Sequence, residues 1–235
     1  MSTKQKIKTD FHTHLLPDLD CSGNPAVACE LIKNMKELGI ENIVLTPHFY
    51  PQLNNSVRDF IQRRDSKIKN LITAMKENNI DDISLFPAAE VLLCPGLNHL
   101  EDLELLCIEG TKTILIEMTD LPWPEALLDT LDEIRDLGLD IVIAHADRYG
   151  KKESEKLIDK GFKVQLNADS LCGFTGKKQF INWVKDGYVY ALGSDKHVRK
   201  DKHTTEYKDF AKASSAISEY AERIDNRMMK LIGKK

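Results

Sequence analysis

The chain has few cysteines, and their arrangement excludes two kinds of small-domain scaffold. Its 235 residues include five cysteines, an odd number with irregular spacing and without a Cys-x-x-Cys pair. A disulfide framework or a structural zinc knuckle needs paired or regularly spaced cysteines. We therefore expect neither. The polar first residues contain no apolar h-region, so we also expect no signal peptide.

The sequence also lacks a long apolar run and an excess of positive charge. No stretch of about 18 apolar residues is present, so we expect no membrane insertion. The formal net charge is −4, which does not favour nucleic acid as a partner, since proteins that bind it carry a basic bias. Together these features make a reducing, cytoplasmic setting the expected one.

Two phosphate chemistries are excluded by missing motifs. A cysteine phosphatase needs Cys-x5-Arg, and none of the five cysteines has an arginine six residues later. The glycine-containing segment at 173–177 lacks the Gly-x4-Gly-Lys-[Ser/Thr] spacing of a nucleotide-binding loop. Covalent thiol catalysis and nucleotide binding are therefore not expected.

Short apolar runs alternate with amphipathic stretches, which predicts an α/β fold. The apolar runs predict seven strands, at 7–12, 42–46, 83–91, 112–117, 140–144, 163–167 and 190–193. Helical spacing predicts helices at 25–38, 56–78, 124–137, 153–160 and 177–186, and a last helix from about 205. Such alternation implies a parallel sheet with right-handed crossovers.

No linker, repeat or low-complexity segment divides the chain. We therefore predict a single domain over 1–235, with a core at about 7–200 and a C-terminal helix at about 205–232. A closed or nearly closed (β/α) barrel, similar to a TIM barrel, is the natural solution at this length. An open doubly wound sheet is the alternative topology.

Histidines and carboxylates collect at the ends of the predicted strands. Eight of them do so: His12, His14, His48, His145, His197, Glu90, Glu117 and Asp195. Because the carboxyl ends of the strands form the functional face of a parallel barrel, we expect these side chains to meet at one mouth. Burying so many ionisable groups without a counter-charge would cost several kcal/mol per unpaired charge. The set therefore predicts a cluster of divalent metal ions.

Two short patterns support this prediction. In His12-x-His14 at a strand end, residues i and i+2 point the same way, so both imidazoles can reach one ion. Asp195-x-His197 repeats this geometry with a carboxylate. Imidazole and carboxylate together suit Zn, Mn or Fe. Each residue alone would more often be structural, so the prediction depends on the whole set.

With these residues assembled, the chain resembles the polymerase-and-histidinol-phosphatase (PHP) superfamily. The matching segments are Asp10-Phe11-His12-Thr13-His14, Thr46-Pro47-His48, Ala89-Glu90-Val91, Leu115-Ile116-Glu117-Met118, Ile143-Ala144-His145-Ala146-Asp147-Arg148-Tyr149, Gln165-Leu166-Asn167 and Gly193-Ser194-Asp195-Lys196-His197. Within the superfamily, the chain looks like the CpsB/CapC-like bacterial tyrosine phosphatases of capsule and exopolysaccharide loci. This resemblance implies a distorted seven-stranded (β/α) barrel.

The resemblance also implies two to three divalent ions per chain, with Mn favoured and Fe or Zn as alternatives. Glu90 would bridge the first two ions. The ligand sets would be His12, His14, Glu90 and Asp195 for the first ion, Glu90, Glu117 and His145 for the second, and His48 with His197 for the third.

The activity implied by the resemblance is the hydrolysis of phosphotyrosine on a protein. Arg148 would hold the substrate phosphate, for which a planar guanidinium is well suited. A water bridging two ions would attack phosphorus, and His197 or Asp195 would assist protonation of the leaving oxygen. The implied partner is the phosphorylated tail of a bacterial tyrosine kinase, and an oligomer is compatible with this role.

The sequence departs from the family pattern in two places. The family usually has Asp-Asp-Gly where this chain has Asp20-Cys21-Ser22, so Cys21 occupies the family's ligand position. We favour Asp20 as the substitute ligand, with a Cys21 thiolate or a weak third site as alternatives. The family's Arg-Pro segment after the last histidine is also missing, and Arg199 or Lys202 would then supply the second phosphate contact.

Two other functions remain open from the sequence. A small-molecule phosphomonoesterase, such as a histidinol phosphatase, would use the same metal site with different substrate loops. A barrel that binds a phosphorylated partner without turnover is the non-enzymatic alternative. Only Cys21 at the ligand position supports the latter in the sequence.

Overall fold

Strands and helices alternate along the part of the chain that the computed structural model describes, which is residues 7–19, 23–54, 56–172, 177–198 and 207–234. The strands are β1 Thr9–His14, β2 Asn42–Leu45, β3 His48–Phe49, β4 Ser84–Pro87, β5 Glu90–Leu92, β6 Thr113–Glu117, β7 Asp140–Ile143, β8 Lys163–Asn167, β9 Val189–Gly193 and β10 Lys196–His197. The helices are α1 Pro25–Glu37, α2 Val57–Glu77, α3 Glu125–Asp136, α4 Lys151–Asp159, α5 Lys177–Asp186, α6 Lys208–Ala216 and α7 Ala221–Leu231.

The first two helices begin at capping residues. Asn24 precedes α1, and its side chain accepts a hydrogen bond from the backbone N of Val27. Ser56 precedes α2, and its side chain accepts a hydrogen bond from the backbone N of Asp59. Such caps satisfy amide groups that have no partner within the helix. The apolar faces of both helices are buried, so these helices cover the strands on the outside of the fold.

The strands are all parallel and form two hydrogen-bonded sheets, with the orders β10-β1-β2-β4 and β3-β5-β6-β7-β8-β9. Only two residues separate β2 from β3, and only two separate β4 from β5. The two sheets are therefore joined through interrupted strands. This confirms the predicted α/β fold with parallel sheets.

The predicted distorted seven-stranded (β/α) barrel is not confirmed, since the described residues contain ten strands in two sheets and no closed ladder. The strand predicted at 83–91 is split into β4 and β5, whereas β3 and β10 follow the strands predicted at 42–46 and 190–193. Pro47 has no N–H to continue a ladder, which accounts for one of the breaks. β1 and β9 lie side by side without pairing. Gly193 permits their approach, because a Cβ there would lie 2.4 Å from the Cβ of His12.

The C-terminal region contains two helices, α6 and α7, where a single helix was predicted. Both helices are tied to β1. The side chain of Asp225 in α7 accepts hydrogen bonds from the backbone N of Lys8 at 2.9 Å and of Thr9 at 3.1 Å. Tyr207, just before α6, donates its hydroxyl to Asp10 Oδ2 at 2.6 Å. The first strand is thus held in place by the last helices.

The core is formed by apolar side chains of the strands and of the inner helix faces, such as Phe11, Phe49 and Phe60. A group of buried polar residues interrupts it at the carboxyl ends of the strands: His12, His14, Glu90, His145, Gln165 and Asn167. Because buried polar groups need partners, this group marks the candidate site. Among the described helices, none is long and apolar enough to cross a bilayer.

Candidate metal centre

The structure brings all eight predicted ligands to one mouth of the fold. Each lies at or directly beyond the carboxyl end of a strand, or at the start of the second half of an interrupted strand. They come from β1 (His12, His14), β3 (His48), β5 (Glu90), β6 (Glu117), the residue after β7 (His145), the link from β9 to β10 (Asp195) and β10 (His197).

Four of these side chains converge at the end of β1 and form the first cluster. His12 Nε2 and His14 Nε2 are 3.0 Å apart, and each is 3.3 Å from Glu90 Oε2. Asp195 Oδ1 lies 3.8 Å from the first nitrogen and 3.4 Å from the second. Ligands of a tetrahedral ion with bonds of about 2.0–2.1 Å stand roughly 3.3 Å apart. The spacing of the first cluster therefore suits one shared cation.

Two unsatisfied polar atoms, one in this cluster and one beside it, also fit a cation. Glu90 Oε2 is buried and has no hydrogen-bond partner among the described residues, and the same holds for His48 Nδ1. The two atoms are 2.9 Å apart but are not oriented as a hydrogen bond. A buried polar group without a partner costs about 1–3 kcal/mol. A divalent ion would satisfy both atoms, so the residues present fit a metal.

Glu90 also faces a second cluster, formed with His145 and Glu117. Its Oε1 is 2.8 Å from His145 Nε2, and Glu117 Oε1 is 3.5 Å from the same nitrogen. Burial alone would raise the pKa of Glu90, but the neighbouring histidines, His12 first, bring it well below its usual value. The Glu90 carboxylate is therefore ionised and presents one oxygen to each cluster, which is the geometry of the predicted bridge.

His48 and His197 form a third, more open corner of the site. Their Nε2 atoms are 3.4 Å apart, and the ring of His14 stacks on His197 with centroids 4.0 Å apart. Their side chains are 22% and 28% exposed, whereas His14 is buried. Burial, together with the charge of His14, lowers the pKa of His197. The further ligand predicted here, Asp20 or Cys21, lies outside the described residues.

Two of the ligands occupy strained backbone conformations. His145 has φ 30° and Asp195 has φ 51°, in the left-handed region that costs a non-glycine residue about 1–3 kcal/mol. Their amides are fixed by hydrogen bonds, from His145 N to Gln165 Oε1 at 2.7 Å and from Asp195 N to His12 O at 2.8 Å. Strain of this kind persists where the surroundings hold it, and it is typical of functional sites.

Two amide side chains at the end of β8 support the ligands, although the sequence analysis gave them no role. Gln165 Oε1 lies 3.2 Å from His12 Nδ1, and its Nε2 donates to Asn167 Oδ1 at 3.0 Å. Asn167 Nδ2 in turn donates to Asp195 Oδ2 at 3.1 Å. The i, i+2 spacing of these residues is the signal that identified His12 and His14, and it could have identified this pair as well.

Two more polar side chains orient the ligands. The hydroxyl of Tyr149 lies 3.1 Å from His145 Nδ1, the ring nitrogen on the far side from Glu90. Asp10 Oδ1 accepts a hydrogen bond from Ser194 N at 2.9 Å and thereby ties β1 to the residue before Asp195. Neighbours of this kind fix the direction of a metal-binding side chain. Both residues lie in segments that resemble the family, but the sequence alone assigned them no role.

Arg148, the predicted phosphate contact, lies at the mouth of the site. Its guanidinium donates a hydrogen bond to Asp195 Oδ2, and its side chain is 52% exposed. Burial alone would raise the pKa of Asp195, but His14, His12 and Arg148 hold it far below its usual range. The Asp195 carboxylate thus joins Arg148 to the first cluster. The other predicted phosphate contacts, Arg199 and Lys202, lie outside the described residues.

Replacement of Glu90 by glutamine should weaken metal binding, because it removes the charge shared by two clusters at nearly constant shape. We expect Glu90→Gln to retain fewer Mn²⁺ ions per chain after dialysis and to bind Mn²⁺ roughly tenfold or more weakly. Elemental analysis and isothermal calorimetry would measure both. Glu125→Gln, at a largely exposed position on α3, is the matched control. Equal metal content in wild type and Glu90→Gln would contradict the assignment.

Metal binding should also depend on pH through His145. Burial lowers the pKa of His145, but hydrogen bonds to Glu117 and Glu90 outweigh it and raise the pKa to about 9. The imidazole therefore carries a proton near neutral pH, and ligation must displace it. Mn²⁺ affinity should rise with pH and level off above about 9. Calorimetry in buffers of different ionisation enthalpy should detect proton release, and an affinity independent of pH would refute this expectation.

A family model described as capsular polysaccharide synthesis, CpsB/CapC, matches residues 8–230. The tyrosine-protein phosphatase CpsB of Streptococcus agalactiae serotype III (strain NEM316) is 23% identical over 204 residues, which cover 80% of this chain and 82% of the relative. The protein of the same name from Streptococcus pneumoniae is 24% identical over 203 residues, with the same shares covered.

Solved structures show the same fold. Crystal structures of YwqE from Bacillus subtilis and CpsB from Streptococcus pneumoniae, described as metal-dependent tyrosine phosphatases, give a match with a TM-score of 0.77 at 21% identity, covering 97% of this chain and 95% of the other. Histidinol phosphate phosphatase from Lactococcus lactis, complexed with zinc, L-histidinol and phosphate, matches with a TM-score of 0.60 at 14% identity, covering 91% and 93%. The family match spans nearly the whole chain, and the chain therefore belongs to the CpsB/CapC family.

Proposed function

We propose that this chain is a metal-dependent phosphatase that hydrolyses phosphotyrosine on a protein. The observation that carries the proposal is the meeting of five histidines and three carboxylates at one mouth, with Arg148 beside them. The names of the relatives, tyrosine-protein phosphatase CpsB, support the same activity.

We infer that the three clusters hold two to three divalent ions, with Mn favoured over Fe or Zn. Imidazole and carboxylate donors suit all three metals, and thiolate ligands are not needed among the described residues. When bound, the ions would offset the three carboxylates, attract a phosphate dianion and supply an acidified water as the nucleophile. Asp20 remains our preferred additional ligand of the third ion.

Arg148 would hold the substrate phosphate at the mouth. Its guanidinium has five N–H donors, and the bond to Asp195 uses only one edge of the group. The remaining donors can bind phosphate oxygens and stabilise their charge during transfer. Asp195 would therefore act as a positioning residue for Arg148 and as an ion ligand, and Arg199 or Lys202 would add the second phosphate contact.

The leaving oxygen needs little protonation by the protein. The pKa values of Asp195 and His197 are both lowered, so both are deprotonated at neutral pH and better suited to bind ions than to donate protons. A phenolate leaves readily as the anion, which agrees with a tyrosyl substrate. Proton donation by His197 or Asp195 stays a prediction of the sequence alone.

The partner that we propose is a bacterial tyrosine kinase with a phosphorylated tail, encountered in the cytoplasm. The family description, capsular polysaccharide synthesis, and the relatives' name, tyrosine-protein phosphatase, support a phosphotyrosyl protein as the partner. The specific observation in favour of a second candidate, a small-molecule phosphatase, is the fold match to a histidinol phosphate phosphatase. That protein shares the fold at lower similarity than the tyrosine phosphatases do.

A comparison of substrates separates these functions. Purified protein supplied with Mn²⁺ should hydrolyse a phosphotyrosyl peptide with a higher kcat/KM than histidinol phosphate, and chelation should abolish both activities because the site then lacks its positive charge. A clear preference for histidinol phosphate would favour the small-molecule function. If the Mn²⁺-loaded protein binds phosphopeptide but hydrolyses neither substrate, and His145→Ala is equally inert, the non-enzymatic alternative is favoured.

Removal of the Arg148 guanidinium should slow turnover without loss of metal. We expect Arg148→Ala to lower kcat/KM for p-nitrophenyl phosphate roughly 100- to 1,000-fold, since one charge-stabilising donor group is lost. The kcat/KM of Arg148→Lys should lie between those of wild type and Arg148→Ala, because lysine keeps the charge but not the planar guanidinium. Steady-state kinetics with Mn²⁺ content measured in parallel would test this. Arg135→Ala on the outer helix α3 is the control, and wild-type kinetics in Arg148→Ala would exclude the assigned role.

A further inference from the structure

Tyr50 belongs to a stack of rings that begins inside the metal centre. The ring of His14, which is buried, lies against His48 with centroids 4.3 Å apart. Tyr50 lies on His48 with centroids 5.2 Å apart and an angle of 18° between the planes. It is half-buried, so the stack leads from the buried ligands to the surface.

The turn that carries Tyr50 is held in one conformation. Its carbonyl oxygen accepts hydrogen bonds from Leu53 N at 2.9 Å and from the side chain of Asn54 at 2.9 Å. Arg63 in α2 donates to Asn54 Oδ1 at 2.6 Å and so ties the turn to a long helix. A ring fixed in this way can contact a ligand with little loss of conformational entropy.

The open side of the metal centre determines where a leaving group would lie. His12, His14 and Glu90 close the inner side, since they are buried. His48, His197 and Arg148 are partly exposed and form the opening. A phosphate ester held by these groups must direct its organic part outward through this opening, past the ring that stacks on His48.

We propose that Tyr50 is the contact surface for the aromatic ring of an aryl phosphate, and that it favours a phenolic leaving group over an aliphatic one. The ring of a substrate that packs against Tyr50 would lie at the usual separation between centroids of aromatic pairs, about 4.5–7 Å. An aliphatic phosphate ester would bind the same phosphate site but would gain less binding energy from contact with the ring of Tyr50. Tyr50 thus deepens the proposed function by naming a residue that selects the substrate class.

Because this proposal rests on the proposed function, its test separates the ring contact from the phosphate contact. We would measure KM for p-nitrophenyl phosphate and the inhibition constant of inorganic phosphate, which has no ring, with Mn²⁺-loaded protein. In Tyr50→Ala, KM should rise roughly three- to tenfold while the inhibition constant of phosphate stays within about twofold. Tyr50→Phe, which keeps the ring, should recover most of the lost affinity.

Tyr188 provides a matched control, since it is 45% exposed and directly precedes β9 at the end of the strand opposite the site. Tyr188→Ala should leave both constants unchanged. A parallel rise of KM and of the phosphate inhibition constant in Tyr50→Ala would show that Tyr50 acts only through His48 and would overturn the proposal. An unchanged KM would overturn it as well.

The proposal stays testable if the protein turns out not to hydrolyse p-nitrophenyl phosphate. Calorimetry of the Mn²⁺-loaded protein with phosphotyrosine and with inorganic phosphate then replaces the kinetics. Tighter binding of phosphotyrosine than of phosphate, lost in Tyr50→Ala, would support the ring contact although the proposed activity has failed. Equal affinity for the two probes would reject the ring contact.

Discussion

The structure depends on one buried carboxylate, that of Glu90, which is surrounded by imidazole side chains. Glu90 is buried, and it meets histidines from three other strands within 3.3 Å. An ionised carboxylate in such a place is stable only while its partners surround it, because the desolvation cost is large. The strands that supply the partners must therefore end at the same depth. The charge of this one side chain therefore constrains where the surrounding strands end.

The interruptions of the strands serve this alignment. A continuous strand carries alternate side chains to opposite faces, so that only every second residue, such as His12 and His14 in β1, faces the centre. The breaks before His48, Glu90 and Lys196 reset that alternation at the mouth. The break before Glu90 is supported by buried Arg64, which donates a hydrogen bond to Ala88 O at 3.2 Å. Local irregularity is thus part of how the parallel fold builds a polar centre.

The sequence predicts the order of the elements and the identity of the ligands better than it predicts the strand breaks and the supporting contacts. The order of strands and helices follows from apolar spacing, and the eight ligands follow from their position after strands, as His12, Glu90 and His145 illustrate. The break between β4 and β5 could not be predicted, because Ala88 and Ala89 look like ordinary strand residues. The supporting contact of Asp10 with Ser194 joins residues 184 positions apart, and spacing within a segment gives no information on it.

The contact between the two ends of the described chain has a consequence for the order of assembly. Asp225 binds the backbone of Lys8 across 217 positions, and Tyr207 binds Asp10 across 197. Contacts so distant in sequence form late, after loop closure. On the ribosome, β1 would emerge first and then wait for α6 and α7 before its two histidines were fixed. His12 and His14 would therefore reach their final geometry only after α6 and α7 have packed against β1.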